Sequence, residues 1–145
     1  MENSFTMTVL SRSNNESFVR TVVSAFALSL DPTVEEISDI KTAVSEAVTN
    51  CIVHGYRDTI GKIYISCQIK DNTVKIKIRD KGVGIENIKM AMEPLYTTAG
   101  DERAGLGFAV MQSFMDSVKV RSTQGKGTTV IMSKRISVRY GSKDK

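Results

Sequence analysis

Apolar and polar residues alternate near the start of the chain. Phe5, Met7 and Val9 are separated by polar positions, and this period of two predicts a strand over 5–10. The period then changes. Val19, Val22, Val23, Phe26 and Leu30 fall on one helical stripe, preceded by Ser13 and Glu16 at capping-box spacing and ended by Asp31-Pro32. Thr33 and Glu36 repeat the capping signature. They open a second helix, predicted to reach about Gly55, with Ile37, Ile40, Val44, Ala47, Val48 and Cys51 as its buried stripe. Period two returns at Ile63, Ile65, Cys67 and Ile69, and again at Val74, Ile76 and Ile78. Asp71-Asn72 supplies the chemistry of a tight turn between them. Lys81 to Gly84 reads as a glycine-bearing loop leading to a short helix. Residues 94–107 read as loop, Leu106 to Met115 as helix, and Val118–Val120 with Thr128–Met132 as a last hairpin through Gln124–Gly127. This order predicts an α+β fold: a two-layer α/β sandwich, its sheet mixed or antiparallel, with helices packed on one face.

Composition keeps that reading and narrows the partners. The 145 residues suit one domain, expected over 1–136, followed by a basic tail over 137–145. A chain of this size buries enough surface to fold without disulfides. Cys51 and Cys67 lie in apolar periodic segments and read as reduced thiols of a cytoplasmic protein. No apolar run is long enough for a membrane span, and no basic segment with an apolar run opens the chain as a secretory signal would. The net charge of +4 resides in Ser133 to Lys145, so residues 1–132 balance to zero. With no tryptophan and no basic–aromatic interleaving, neither nucleic acid nor membrane is an expected partner.

Some polar residues sit oddly for a plain core. Glu46, Asn50 and His54 recur every fourth residue along an edge of the second helix. They line either a solvated helix edge or a cleft. In a cleft Glu46 could act as a general base, and the Asn50 amide oxygen could bind a hard cation such as Mg²⁺. Asp80 follows the parity of Val74, Ile76 and Ile78, so its carboxylate is expected to point to the core side. A protein donor or a ligand must then satisfy it. An exocyclic amine such as that of adenine would serve, with Gly82 and Gly84 leaving room for a flat ligand. Gly105 and Gly107, placed just ahead of a helix, either loosen a loop or offer backbone N–H groups to a phosphate. Gly125 to Thr128 is most simply a hairpin turn.

These blocks occur in one order: Glu46-x3-Asn50-x3-His54-Gly55, Asp80-x-Gly82-x-Gly84-Ile85, Gly105-Leu-Gly107 and Gly127-Thr128. Together they resemble the ATP-binding domain shared by gyrase, ninety-kilodalton heat-shock chaperones, histidine kinases and mismatch-repair ATPases, the GHKL group. The resemblance spans Ile37 to Ile131. A second domain, as in gyrase, and a helical domain with a phospho-accepting histidine are not expected; the single histidine, His54, lies in the asparagine block. Val44 to Asn50, His54-Gly-Tyr56, Pro94 to Thr98 and Glu102 to Phe108 are similar to the free-standing anti-sigma factors that are also serine kinases. Arg12 to Phe18 and Ser113 to Asp116 resemble their sporulation type. Ala99 stands where a lysine commonly follows the paired threonines, and Ala104 replaces a usual serine. Phosphate contacts would therefore fall more on backbone groups and Arg103.

The resemblance implies two activities: sequestering a sporulation sigma factor of the sigma F type, and ATP-dependent phosphorylation of a serine on an anti-anti-sigma factor. Asp80 would then read adenine of ATP or ADP, with His54 in the pocket and Gly82, Gly84, Ile85 and Thr128 framing the base. Asn50 would ligate Mg²⁺. Thr97, Thr98, Arg103, Gly105, Leu106, Gly107 and Phe108 would close over the phosphates. Glu46 would orient or deprotonate the serine. A homodimer is also implied. On the first helix, Glu16, Arg20 and Ser24 lie away from the apolar stripe, and Glu16 and Arg20 are candidate partner contacts beside the simpler reading of a solvated face. The alternative function is a nucleotide-gated sigma-binding module of the general-stress type with little or no catalysis.

Overall fold

The computed structural model describes residues 2–85 and 102–138. Five strands form one antiparallel sheet: β1 (Glu2–Leu10), β2 (Lys62–Lys70), β3 (Thr73–Asp80), β4 (Ser117–Thr123) and β5 (Gly127–Arg135), in spatial order β1-β2-β3-β5-β4. Three α-helices are described: α1 (Asn15–Ala27), α2 (Val34–Asn50) and α3 (Glu102–Phe114). Helix α2 packs between the other two. The inward residues of every strand meet them in one core that includes Val23, Ile40, Val48, Ile65, Ile76, Met111 and Met132. The expected two-layer α+β sandwich is therefore the observed one, and its sheet is wholly antiparallel. Among the described residues, no helix is long and apolar enough to cross a membrane.

Local chemistry explains most of the boundaries. Thr33 Oγ1 accepts from the Glu36 N–H at 3.0 Å, and Glu36 Oε1 accepts from the Thr33 N–H at 2.8 Å, which completes the box at the start of α2. Asp71 and Asn72 both take positive φ, as the tight turn between β2 and β3 requires. The other expected box does not form. Asn15 donates its side-chain N–H to the Leu10 carbonyl at 2.8 Å and its backbone N–H to the Arg12 carbonyl. That turn consumes the residues around Ser13, and α1 starts only at Asn15 with no side-chain cap. The short helix expected after Gly84 lies outside the described residues. Helix α3 begins at Glu102, inside the stretch expected to be loop, and so earlier than the apolar spacing from Leu106 implied.

Candidate functional site

Helix α2 does not end in the usual way. After Asn50 the backbone widens into one turn of π-helix, Cys51–Gly55, closed by the Tyr56 N–H donating to the Cys51 carbonyl at 2.9 Å. Such turns recur at functional sites because they re-aim side chains that a regular helix would stack. Here the widened turn faces the end of β3. The Val83 N–H donates to the Gly55 carbonyl at 2.9 Å. A Cβ on Gly82 would collide with that same carbonyl, so the glycine is required by the chain's own backbone. The space expected for a ligand at Gly82 is occupied by the π turn.

Between α2, the π turn, β3 and β5 lies a cavity of about 150 Å³. A volume of that order accommodates a single aromatic ring. His54, Asp80, Gly84, Ile85, Phe108 and Thr128 line it, as does Asn50 at its α2 side. Asp80 is only 4% exposed, as strand parity requires. Its Oδ1 accepts from the Gly82 N–H at 2.9 Å, and further hydrogen bonds come from the Cys51 thiol and the Thr128 backbone. Burial outweighs these donors and holds the Asp80 carboxyl above the usual carboxylate range. Burial, reinforced by the negative charge of Asp80, pushes the Cys51 thiol well up, so it stays a neutral donor. Thr128 Oγ1 lies 2.8 Å from Ser122 Oγ, which in turn accepts from the Ile85 N–H at 2.7 Å. The rim of the cavity is thereby tied to β4.

A second cluster adjoins the first. The side-chain N–H₂ of Asn50 is buried and has no hydrogen-bond partner among the described residues. A Cβ added at Gly107 would stand 3.1–3.2 Å from the Asn50 amide and 3.2 Å from Glu46 Oε2. The absence of a side chain at Gly107 therefore brings α3 directly over both groups. Gly107 lies inside α3, in its second turn, and not ahead of the helix, so its N–H belongs to the helical ladder. Its contribution is clearance, where the sequence suggested a phosphate donor. Gly105 is likewise within the helix. Thr97 and Thr98 lie outside the described residues, as do the side chains of Arg103 and Leu106.

Glu46 does not itself line the cavity; it lines a depression between α1 and α2 together with Glu16, Arg20, Lys41 and Ser45. Glu16 and Arg20 pair at 3.6 Å. Ser24, expected on the same exposed face, is instead buried and donates to the Thr21 carbonyl at 3.0 Å. The helix rotates it toward α1's packed side, and the two candidate contacts, Glu16 and Arg20, remain accessible. The sequence reading also missed several cavity residues, Cys51, Arg57 and Gln124 among them. Cys51 was read as plain core, although its place one step beyond Asn50 puts it at the cavity end of α2. Arg57 and Gln124 line the mouth from turn positions that carry no periodic signal.

The described arrangement combines a recessed carboxylate, a ring-sized cavity and an adjacent amide–carboxylate pair. A family model described as the histidine kinase-like ATPase domain matches residues 11–134. Proteins named anti-sigma F factor match across nearly their whole length. That of Thermoanaerobacter pseudethanolicus is 60% identical over 92% of this chain and 94% of its own. That of Caldanaerobacter subterraneus is 62% identical over 88% and 90%. That of Clostridium acetobutylicum is 53% identical over 95% and 97%.

The chain belongs to the anti-sigma F factor family of histidine kinase-like ATPase domains.

Membership carries nucleotide binding with it. The fold likeness extends to a blue-light activated histidine kinase of Erythrobacter litoralis, with a TM-score of 0.59 at 17% identity over 83% of this chain. The present chain spans 41% of that kinase.

Proposed function

We propose that this chain binds ATP and ADP in the cavity beneath α2, sequesters a sigma factor of the sigma F type, and phosphorylates a serine of an anti-anti-sigma factor in the cytoplasm. The observation that carries the reading is the position of Glu46. It shares the space below Gly107 with the Asn50 amide, whose buried N–H₂ has no partner among the described residues, and it lines the depression holding Arg20. A carboxylate so placed can touch both a nucleotide's phosphate end and a docked protein.

In this reading Asp80 accepts the exocyclic amine of adenine, while Ile85, Phe108 and Thr128 bound the ring. Asn50 fits a Mg²⁺ role through its side-chain oxygen, which lies beside the Glu46 carboxylate below Gly107. Among the described residues no cluster of three His, Cys, Asp or Glu side chains gathers for a metal. The ion would rely on the amide oxygen, nucleotide phosphates and water, the ligand set Mg²⁺ favours. When bound it would supply charge neutralisation at the phosphates. Glu46 takes or orients the proton of the incoming serine hydroxyl, and Arg20 with Glu16 holds the partner at the same depression. Thr97, Thr98 and Arg103 complete the phosphate contacts. The domain is taken to end near 136, with a basic tail beyond it, and the working unit is a homodimer.

A nucleotide-gated binder without catalysis would not need a carboxylate beside the amide ligand. Incubating the chain with γ-labelled ATP and the anti-anti-sigma protein separates the two readings. Label on a partner serine supports the kinase. Tight ATP binding with partner capture but no transferred label would leave only the gated binder.

A further inference from the structure

We infer that the open face of the sheet is a nucleic-acid surface, one that grips the phosphate backbone of a duplex without reading its bases. The overall neutrality of residues 1–132 hides a segregation of charge. Strand register aligns outward residues in rows across the sheet. Lys75 on β3 lies between Gln68 and Ser133; Lys77 lies between Ser66 and Ile131, with Lys119 beyond; Arg79 lies between Tyr64 and Thr129, with Arg121 beyond. Lys70 and Arg135 flank Thr73 in the next row. All seven of these cations are exposed. Among the described residues none of them enters an ion pair, since the pairs present are Arg20–Glu16 and Lys134–Asp39. The single carboxylate among the paired outward positions is Glu2, at the β1 edge beside Lys70. The acidic residues of α2, by contrast, lie on the helical layer.

The dimensions make this an array. Alternate residues of a strand stand about 6.8 Å apart, and β3 to β4 across β5 spans roughly 10 Å. The central five cations thus lie within about one Debye length of their neighbours at physiological salt and raise the local potential together. Two-residue spacing along β3 also matches about two phosphates of one duplex strand along its axis.

The composition between the cations selects the occupant. Ser66, Thr129 and Ser133 provide short hydroxyls of the kind that contact phosphates. Tyr64 is the one aromatic side chain in these rows, and Lys81 already lies over its ring at 5.0 Å. There is no stacking platform of the kind that single strands use. Protein interfaces are depleted in lysine and centre on apolar anchors, and the aliphatic residues of this face are Ile131 and, at the far β1 edge, Leu10. A second copy laid on the face would oppose two like-charged arrays.

The test uses the full chain and a fluorescent 25-base-pair duplex of random sequence, with affinity measured from 50 to 200 mM salt. About four phosphate contacts predict a loss on the order of 100-fold across that range. The Lys77→Gln/Lys119→Gln variant should lower the magnitude of the logarithmic salt slope by roughly 2 while leaving ATP affinity unchanged. Three results would overturn the inference: no salt-dependent binding to the duplex at 50 mM, binding insensitive to that variant but abolished by Arg139→Gln/Lys143→Gln/Lys145→Gln in the tail, or binding to phosphatidylserine vesicles with none to the duplex.

Discussion

Asp80 is governed by a contest between burial, which favours its neutral form, and the donors around it, which favour its charge. Burial wins, yet the group keeps three hydrogen bonds and one side open to the cavity. Asp80→Asn should therefore fold and bind ATP less tightly by roughly 1–3 kcal/mol, because the amide offers a mismatched donor where an acceptor is needed. Calorimetric titration checks this, and an unchanged affinity would remove Asp80 from adenine recognition. Glu46→Gln keeps size and helix compatibility but cannot accept a proton. Single-turnover phosphoryl transfer at saturating ATP and partner should fall by roughly 10²-fold or more, with ATP binding retained. A near-normal transfer rate would show that Glu46 is not the base. Asp80 was legible in sequence because a strand's period of two fixes which face a side chain takes. Gly107 was not legible in the same way. Its role depends on where α3 begins and on what lies below it, neither of which a glycine pattern encodes.

At the scale of elements, the start of α2 is held by groups outside its own ladder. Glu36 closes the box at its start and also accepts from the Ser137 N–H at 2.9 Å, which ties the segment after β5 to the helix. Burial alone would raise the Glu36 carboxyl, but the donors from Thr33 and Ser137 hold it below the ordinary value. The folded state thus prefers the ionised form. Its contribution is complete above the unfolded glutamate value of about 4.3 and is lost as pH falls through the lower folded value. Urea unfolding of wild type and Glu36→Gln between pH 3 and 7 should show a stability gap that narrows at the acid end; a gap constant with pH would exclude this linkage. Thr33→Ala should cost about 1 kcal/mol in the same assay. The cap at Thr33 was readable because it involves four consecutive residues. The one expected at Ser13 failed because Asn15 reaches back to Leu10, a contact set by how β1 leaves the sheet.

At the scale of the molecule, the antiparallel two-layer arrangement was legible because the hairpins and the two long amphipathic helices leave few ways to close one core. Charge distribution was not legible: a sum over the chain cannot tell which residues share a face, and register alone assembles the basic rows of the sheet. The same holds for the depression between α1 and α2, where Arg20 and Glu46, 26 positions apart in sequence, come to one surface. Arg20→Ala tests whether that surface receives the partner. The Arg20–Glu16 pair is a partly exposed i,i+4 contact and contributes little to stability, so the variant should fold normally. Arg20 does not line the cavity proposed for the nucleotide, so ATP affinity should be unchanged. An arginine at the centre of a protein contact is a frequent source of binding energy, and its loss should weaken capture of the anti-anti-sigma protein by about tenfold or more. Phosphorylation should then show a raised KM for the partner with kcat retained, because Glu46 and the nucleotide site remain intact. Titration of the partner by calorimetry and initial-rate kinetics reads both quantities. An unchanged KM and unchanged partner affinity would remove α1 from the docking surface. A fall in kcat with KM unchanged would instead make Arg20 part of the chemistry, acting on Glu46 across the depression.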